Sequence, residues 1–169
     1  DNGFWYIRQG PHFTQQREFK WASGYEFRVV SGDFNADGFW DLAMRATNGF
    51  WYFRPGPKFD TQTELAWAPG PEYEPHAGDF NGDGLWDIAL RATTNGYWYF
   101  RAGPTFQTQT SFLWNPGVDL QSYTGDFNGD GRFDAAVFRP ADNLWYVQRS
   151  AGGTEIRQFG AAGDAAAGA

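Results

Sequence analysis

GDFNGDGRFDAAVFRPADNLWYV, residues 125–147, puts an acidic, glycine-rich loop, an apolar run and a Trp-Tyr pair in quick succession. The loop recurs. GDFNADGFWD spans Gly32 to Asp41, GDFNGDGLWD spans Gly78 to Asp87, and GDFNGDGRFD spans Gly125 to Asp134, with a period of 46 and then 47 residues. The aromatic pair recurs with it, as NGFWY at Asn2 to Tyr6 and Asn48 to Tyr52, as NGYWY at Asn95 to Tyr99 and, more weakly, as DNLWY at Asp142 to Tyr146. Trp5 to Asp33, Trp51 to Asp79 and Trp98 to Asp126 are each 28 residues apart. The one extra residue falls in a turn, Thr93-Thr94-Asn95-Gly96 against Thr47-Asn48-Gly49, where it leaves the strand faces undisturbed. Self-similarity at this period marks a repeat array, whose units stack because none can cover its own apolar faces.

Each unit reads as four short strands, predicted in the second full unit at about Glu74 to Phe80, Trp86 to Ala92, Tyr97 to Arg101 and Phe106 to Trp114. Asp41 to Arg45 and Asp87 to Arg91 alternate in period two. Asn48-Gly49 and Asn95-Gly96 are hairpin signals because both residue types tolerate positive φ, and Gly10-Pro11, Gly56-Pro57 and Gly103-Pro104 mark a second series of turns. Four antiparallel strands per 46 or 47 residues is the size of one propeller blade. The expected fold is therefore all-β, with about three and a half four-stranded β-propeller-type blades. The corresponding segments are a partial blade over 1–31 holding its third and fourth strands, blades over 32–77, 78–124 and 125–159, and a linker or the start of a further blade over 160–169. A closed ring needs at least four blades. The chain is thus expected to be a fragment of a longer array or a subunit completed by association, and a start at Asp1 points to a processed or excised piece.

Within each loop, oxygen-bearing side chains occupy relative positions 1, 3, 5 and 9. They are Asp33, Asn35, Asp37 and Asp41, then Asp79, Asn81, Asp83 and Asp87, then Asp126, Asn128, Asp130 and Asp134. A glycine stands at position 6 each time, at Gly38, Gly84 and Gly131. Calcium takes six to eight oxygens, and such a loop wraps them about one point, with the position-7 carbonyls of Phe39, Leu85 and Arg132 adding a ligand each. Three Ca²⁺ sites are expected. An Asx-turn hairpin would also use Asp, Asn and Gly, but turns need one or two such residues rather than four in register. Helical calcium hands are excluded because position 12 is Met44, Leu90 or Val137 instead of an acid. Ala36 stands where the other loops have Gly82 and Gly129; position 4 supplies no side-chain ligand, so the change is expected to be neutral.

These residues resemble the FG-GAP/VCBS repeats of integrin alpha-chain propellers and of many secreted bacterial proteins, with the closest likeness at Gly125 to Val147. The resemblance runs from about Asn2 to Phe159. It implies β-propeller blades, calcium on the twelve Asp and Asn side chains, and an extracellular, secreted or cell-surface setting, and it says little about a specific function.

Composition narrows the remaining classes. The 169 residues hold no cysteine, which excludes disulfides and thiolate metal sites, and only two lysines, Lys20 and Lys58, in a net charge of −7. Nucleic acid is not an expected partner, since counterion release needs clustered cations. No apolar run approaches 18 residues, so membrane insertion is not expected either. Aromatics make up 20% of the chain. Trp5, Trp51, Trp98 and Trp145, with Trp21, Trp67 and Trp114, read first as blade-packing residues. The competing reading is a carbohydrate platform, in which Trp51 with Arg54 and Trp98 with Arg101 form candidate ligand-binding pairs. A third series, Trp40, Trp86 and Phe133, sits at loop position 8 and is expected to be partly exposed. His12 and His76 occupy different phases of the repeat and are expected in turns or on the surface. No phosphate loop, nucleophile elbow or Cys/His pair is present, so no catalytic residue is assigned. The sequence points to a non-catalytic module whose partner is another protein or a further copy of the chain, with a lectin as the alternative.

Overall fold

The computed structural model describes residues 3–21, 26–114, 117 and 119–161. Fourteen strands and no helix occur among them. Strands β1 (Phe4–Gln9) and β2 (Gln15–Lys20) form a two-stranded sheet. Blade 1 consists of β3 (Phe27–Gly32), β4 (Asp41–Ala46), β5 (Phe50–Arg54) and β6 (Thr63–Ala66). Blade 2 is β7 (Tyr73–Gly78), β8 (Asp87–Ala92), β9 (Tyr97–Arg101) and β10 (Gln109–Leu113). Blade 3 is β11 (Gln121–Gly125), β12 (Asp134–Arg139), β13 (Leu144–Gln148) and β14 (Thr154–Gln158). Every pairing is antiparallel between consecutive strands. Among the described residues the sheets are blade-like and do not close into a barrel, and no helix is long and apolar enough to cross a membrane.

The hydrogen bonds group the strands differently from segments cut at Gly32, Gly78 and Gly125. The strand before each loop pairs with the strand after it, through Gly32↔Asp41, Gly78↔Asp87 and Gly125↔Asp134. Each loop is therefore the first connection inside a blade. Most of 160–169 lies outside the described residues.

Period-two alternation in the second strands did not translate into one buried and one exposed face. All six residues of β8 are buried. A middle strand of a blade is covered by a neighbouring blade on each side, so both faces need small or apolar residues, such as Ala43, Ala89 and Ala136. Trp51 and Trp98, on the third strands, are wholly buried. In the Asn-Gly turns only Gly49 and Gly96 take positive φ. The asparagines instead accept backbone bonds, Asn48 from the Phe50 amide at 3.0 Å and Asn95 from the Tyr97 amide at 3.1 Å.

The blades meet through a repeated set of contacts. Trp21 donates its indole N–H to Gln62 at 2.8 Å, and the Arg54 guanidinium lies 5.0 Å above its ring. Trp67 does the same with Gln109 at 3.0 Å and Arg101 at 5.0 Å. Nearer the loops, Trp86 packs closely against Gly32 and Phe133 against Gly78; a Cβ on Gly78 would sit 2.0 Å from the Phe133 ring, so only glycine admits it. Arg45, itself buried, binds the carbonyls of Ala68, Gly70 and Tyr73 and straps the crossing between blades 1 and 2.

Strand β7 lies between β3 and β11. There His76 departs from the surface placement its sequence position implied. It is half-buried, tilted 5.2 Å from the Trp98 ring, with Nε2 2.9 Å from Ser122 Oγ on the next blade. Ser122 donates to Glu74 at 2.5 Å, which leaves Nε2–H of a neutral imidazole as the donor to Ser122. Glu74 also faces Arg91 at 3.2 Å and Arg28 at 3.5 Å. His12 sits in the exposed turn after β1, as expected.

Burial lowers the His76 pKa to about 4, with Arg91 and Arg28 pushing the same way and Glu74 opposing. The folded value lies below the unfolded one, so the folded state takes up its proton last. Stability from this group is complete above the unfolded value of ~6.5 and is lost as pH falls towards about 4, by at most ~3 kcal/mol. Urea melts of wild type and His76→Gln between pH 4 and 7 should show the steeper pH slope in the wild type.

Candidate calcium loops

Each loop is curled by its own acidic side chains. In loop 1, Asp33 accepts the amides of Asp37 at 3.0 Å and Gly38 at 2.8 Å, Asn35 Oδ1 accepts that of Asp37 at 3.0 Å, and Asp37 accepts that of Phe39 at 2.9 Å. Loop 2 repeats this with Asp79, Asn81 and Asp83, and loop 3 with Asp126, Asn128 and Asp130. Positions 1, 3 and 5 are thus gathered on the inside of one turn by backbone donors. The Gly131 amide, ahead of the other loop amides, holds the Asp126 carboxyl below its ordinary pKa.

Position 9 does something the sequence did not reveal. Asp41 is buried and accepts two backbone bonds, from the Phe34 amide at 3.0 Å and the Gly56 amide at 2.8 Å. Asp87 accepts from Phe80 at 3.0 Å and Gly103 at 2.9 Å. One carboxylate therefore fastens the loop's start to the turn after the third strand. Burial raises the pKa of Asp41 and Asp87; the backbone donors oppose the rise, and the other loop carboxylates add to it. Asp134 keeps the bond to the later turn, accepting the Ser150 amide at 2.9 Å, but its Oδ2 is buried without a donor.

The donor set suits a hard divalent cation. Oxygens of the right type converge at the same spacing three times, none of the ion pairs among the described residues involves a loop carboxylate, and Asp134 offers an unsatisfied buried oxygen. Among the described residues, no three acidic or His side chains are yet close enough together to hold a metal ion. Like-charge repulsion opposes such closure until a cation is present. Phe39, Leu85 and Arg132, expected to contribute carbonyls, follow the position-6 glycines whose positive φ turns the chain there.

The other candidate residues fall elsewhere. Trp51 and Trp98 present no surface to a ligand, and Arg54 and Arg101 are spent on Trp21 and Trp67 of the preceding blade. These four residues pack the blades. Of the position-8 aromatics, Trp40 is 62% exposed, with Trp86 and Phe133 half-buried behind it in a chain of ring contacts of 5.2 and 5.5 Å.

Residues 79–137, which run from loop 2 into β12, match the sequence model of a known repeat. The model is that of an FG-GAP-like repeat, to which this segment is similar. The match covers two of the three loops, and the remaining loop, Asp33 to Asp41, lies outside it but carries the same oxygen residues at the same spacing. No curated protein and no solved structure matches the chain.

The loop geometry yields two expectations. Asp87→Ala leaves two amides without their acceptor and should cost about 2–4 kcal/mol in a urea melt even in EDTA; a variant neutral under those conditions would remove the fastening role. Ala36 adopts φ 61°, which its two counterparts meet as glycine, so the substitution is not neutral as expected from ligand chemistry alone. Ala36→Gly should raise stability by ~0.5–1 kcal/mol in the same assay.

Proposed function

We propose that the three loops bind Ca²⁺ and that the chain is a calcium-stabilised, non-catalytic module of an extracellular or cell-surface protein, serving protein interaction, adhesion or assembly. FG-GAP-like repeats are typical of such proteins and generally non-enzymatic. The observation that carries the reading is the threefold identical set of carboxylate and amide oxygens, curled inward and without a cationic side-chain partner. Asp33, Asn35, Asp37 and Asp41 would hold the first ion, with the Phe39 carbonyl. Asp79, Asn81, Asp83, Asp87 and the Leu85 carbonyl would hold the second, and Asp126, Asn128, Asp130, Asp134 and the Arg132 carbonyl the third. The ion supplies the positive charge that offsets the carboxylate repulsion, so its binding free energy becomes folding free energy. Nine of the chain's 20 acids stand in these loops. Three bound ions would bring the net charge from −7 to about −1, so the acidity describes the sites more than a partner.

A thermal melt tests this directly. Extracellular modules bind calcium with dissociation constants of about 10⁻⁴–10⁻³ M, so removing ~2 mM calcium with EDTA should lower the Tm by roughly 5–20 °C. Calcium should restore it better than magnesium, and calorimetric titration of Asp83→Asn should count one site fewer than wild type. A melt indifferent to EDTA overturns the assignment.

A further inference from the structure

The junction between blades 2 and 3 differs from the two before it. In blade 2 the turn after β9 reads Gly103-Pro104-Thr105-Phe106, and the Phe106 ring enters the space beside blade 1, stacked 5.3 Å from Phe53 and edge-on to Phe34 at 6.4 Å. In blade 1 the turn Gly56-Pro57-Lys58-Phe59 places Phe59 5.6 Å from Phe19 of the preceding sheet. Blade 3 has no such residue. Its turn reads Ser150-Ala151-Gly152-Gly153, and the register shows the shortening: Phe53 pairs with Thr63 and Phe100 with Thr110, ten residues on, but Val147 with Glu155, eight residues on.

The walls that would receive the missing ring are nevertheless intact. Phe80 meets Phe100 at 4.9 Å, as Phe34 meets Phe53 at 5.4 Å, and Phe80 meets Phe133 at 6.2 Å, as Phe34 meets Trp86 at 6.4 Å. With Phe112 they line a cleft of about 640 Å³. Arg149 lies at the cleft, paired with Glu155 through Nη2 at 2.5 Å, while its Nε is buried with no acceptor. Gln148 stands where blades 1 and 2 carry Arg54 and Arg101, so no guanidinium from that position is drawn over Trp114.

We propose that this cleft is a binding site for a small aromatic ligand, a benzyl-type ring bearing an acidic acceptor, seated where Phe59 and Phe106 sit at the other junctions. The ring fills a space already shaped for phenyl on three sides, and the acceptor is drawn to the part-exposed Arg149 guanidinium in the cleft lining rather than to its buried Nε. Such a cleft is in the size range of small-molecule sites. The rings of Phe80, Phe100, Phe112 and Phe133 form the apolar wall, and Asn81 and Asp87 of loop 2 also border the cleft, so the test is run with calcium present.

The test uses the full chain in calcium, with 3-phenylpropionate and its neutral amide as probes, followed by amide and Trp114 indole NMR shifts. Saturable binding of the acid at about 0.1–1 mM is expected for a ligand of this size, with shifts centred on Thr110, Phe112 and Ser150. Replacing Ala151–Gly153 by Pro-Thr-Phe-Gln-Thr, the residues after Gly103, should fill the cleft and weaken binding at least tenfold while holding or raising the Tm. Thr110→Trp, on the exposed edge strand, gives an independent occlusion with the same expected loss. Arg149→Gln should weaken the acid about fivefold or more and leave the amide unchanged. No saturable binding to a folded chain, or equal binding in the folded, occluded variants, overturns the proposal.

Discussion

A carboxylate taken out of water at the end of each loop is the constraint around which each blade is arranged. Asp41 and Asp87 accept one amide from the start of their own loop and another from the turn fifteen or sixteen residues further on. Two charge-assisted bonds to backbone donors fix the first connection of the blade against its third, which no strand pairing does. The arrangement also leaves a negative charge in a poorly solvated place, and the raised pKa of both groups reflects that cost. A cation in the loop would reverse the balance, because the charge that burial disfavours would then be matched. With such a cation bound, loop closure, blade geometry and cation affinity would be one free-energy term, and a weakening of any of them would be felt in the other two.

From that point the structure grows by nearest-neighbour contact. A blade is four strands thick in one direction and one sheet thick in the other, so its middle strands have no exposed face to spare, and β8 is buried throughout. The outer-strand Trp residues then act across the junction. Trp21 and Trp67 each receive a guanidinium on the ring and an acceptor at the indole N–H from the following blade. Because both groups belong to the neighbour, this stabilisation exists only in the stack, as expected of repeat proteins whose units do not fold alone.

The repeat made the fold readable. Loop, aromatic pair and turn residues recur with fixed spacing, and the predicted strands of blade 2 overlap the observed ones because Asn-Gly and Gly-Pro delimit them. What escaped the sequence is whatever depends on the blade next door. Trp51 and Arg54 have the composition of a sugar platform, and only the packing of adjacent sheets shows that neither is free. The same holds for His76, whose partners Ser122 and Trp98 lie 46 and 22 residues away in sequence. Ala36 is a different case: its side chain bears on no ligand, but the backbone there adopts φ 61°, a demand that composition does not announce.

A stack of similar junctions also supplies its own control. Between blades 2 and 3 the turn is shorter by two residues, its Phe is gone, Gln148 replaces the arginine and Glu155 takes the β-strand position opposite the third-strand residue. All of these changes lie on the blade 3 side. Had the packing there simply relaxed, the blade 2 wall would face water and polar residues would serve it as well as rings. Instead that wall keeps Phe80 and Phe100, and Phe112 stands where blade 1 has Leu65, with a ring contact to Phe100 at 5.5 Å. Aromatic surface beside an unfilled space carries a hydration cost that a polar wall would avoid. The wall therefore makes physical sense as the complement of something that is not part of blade 3.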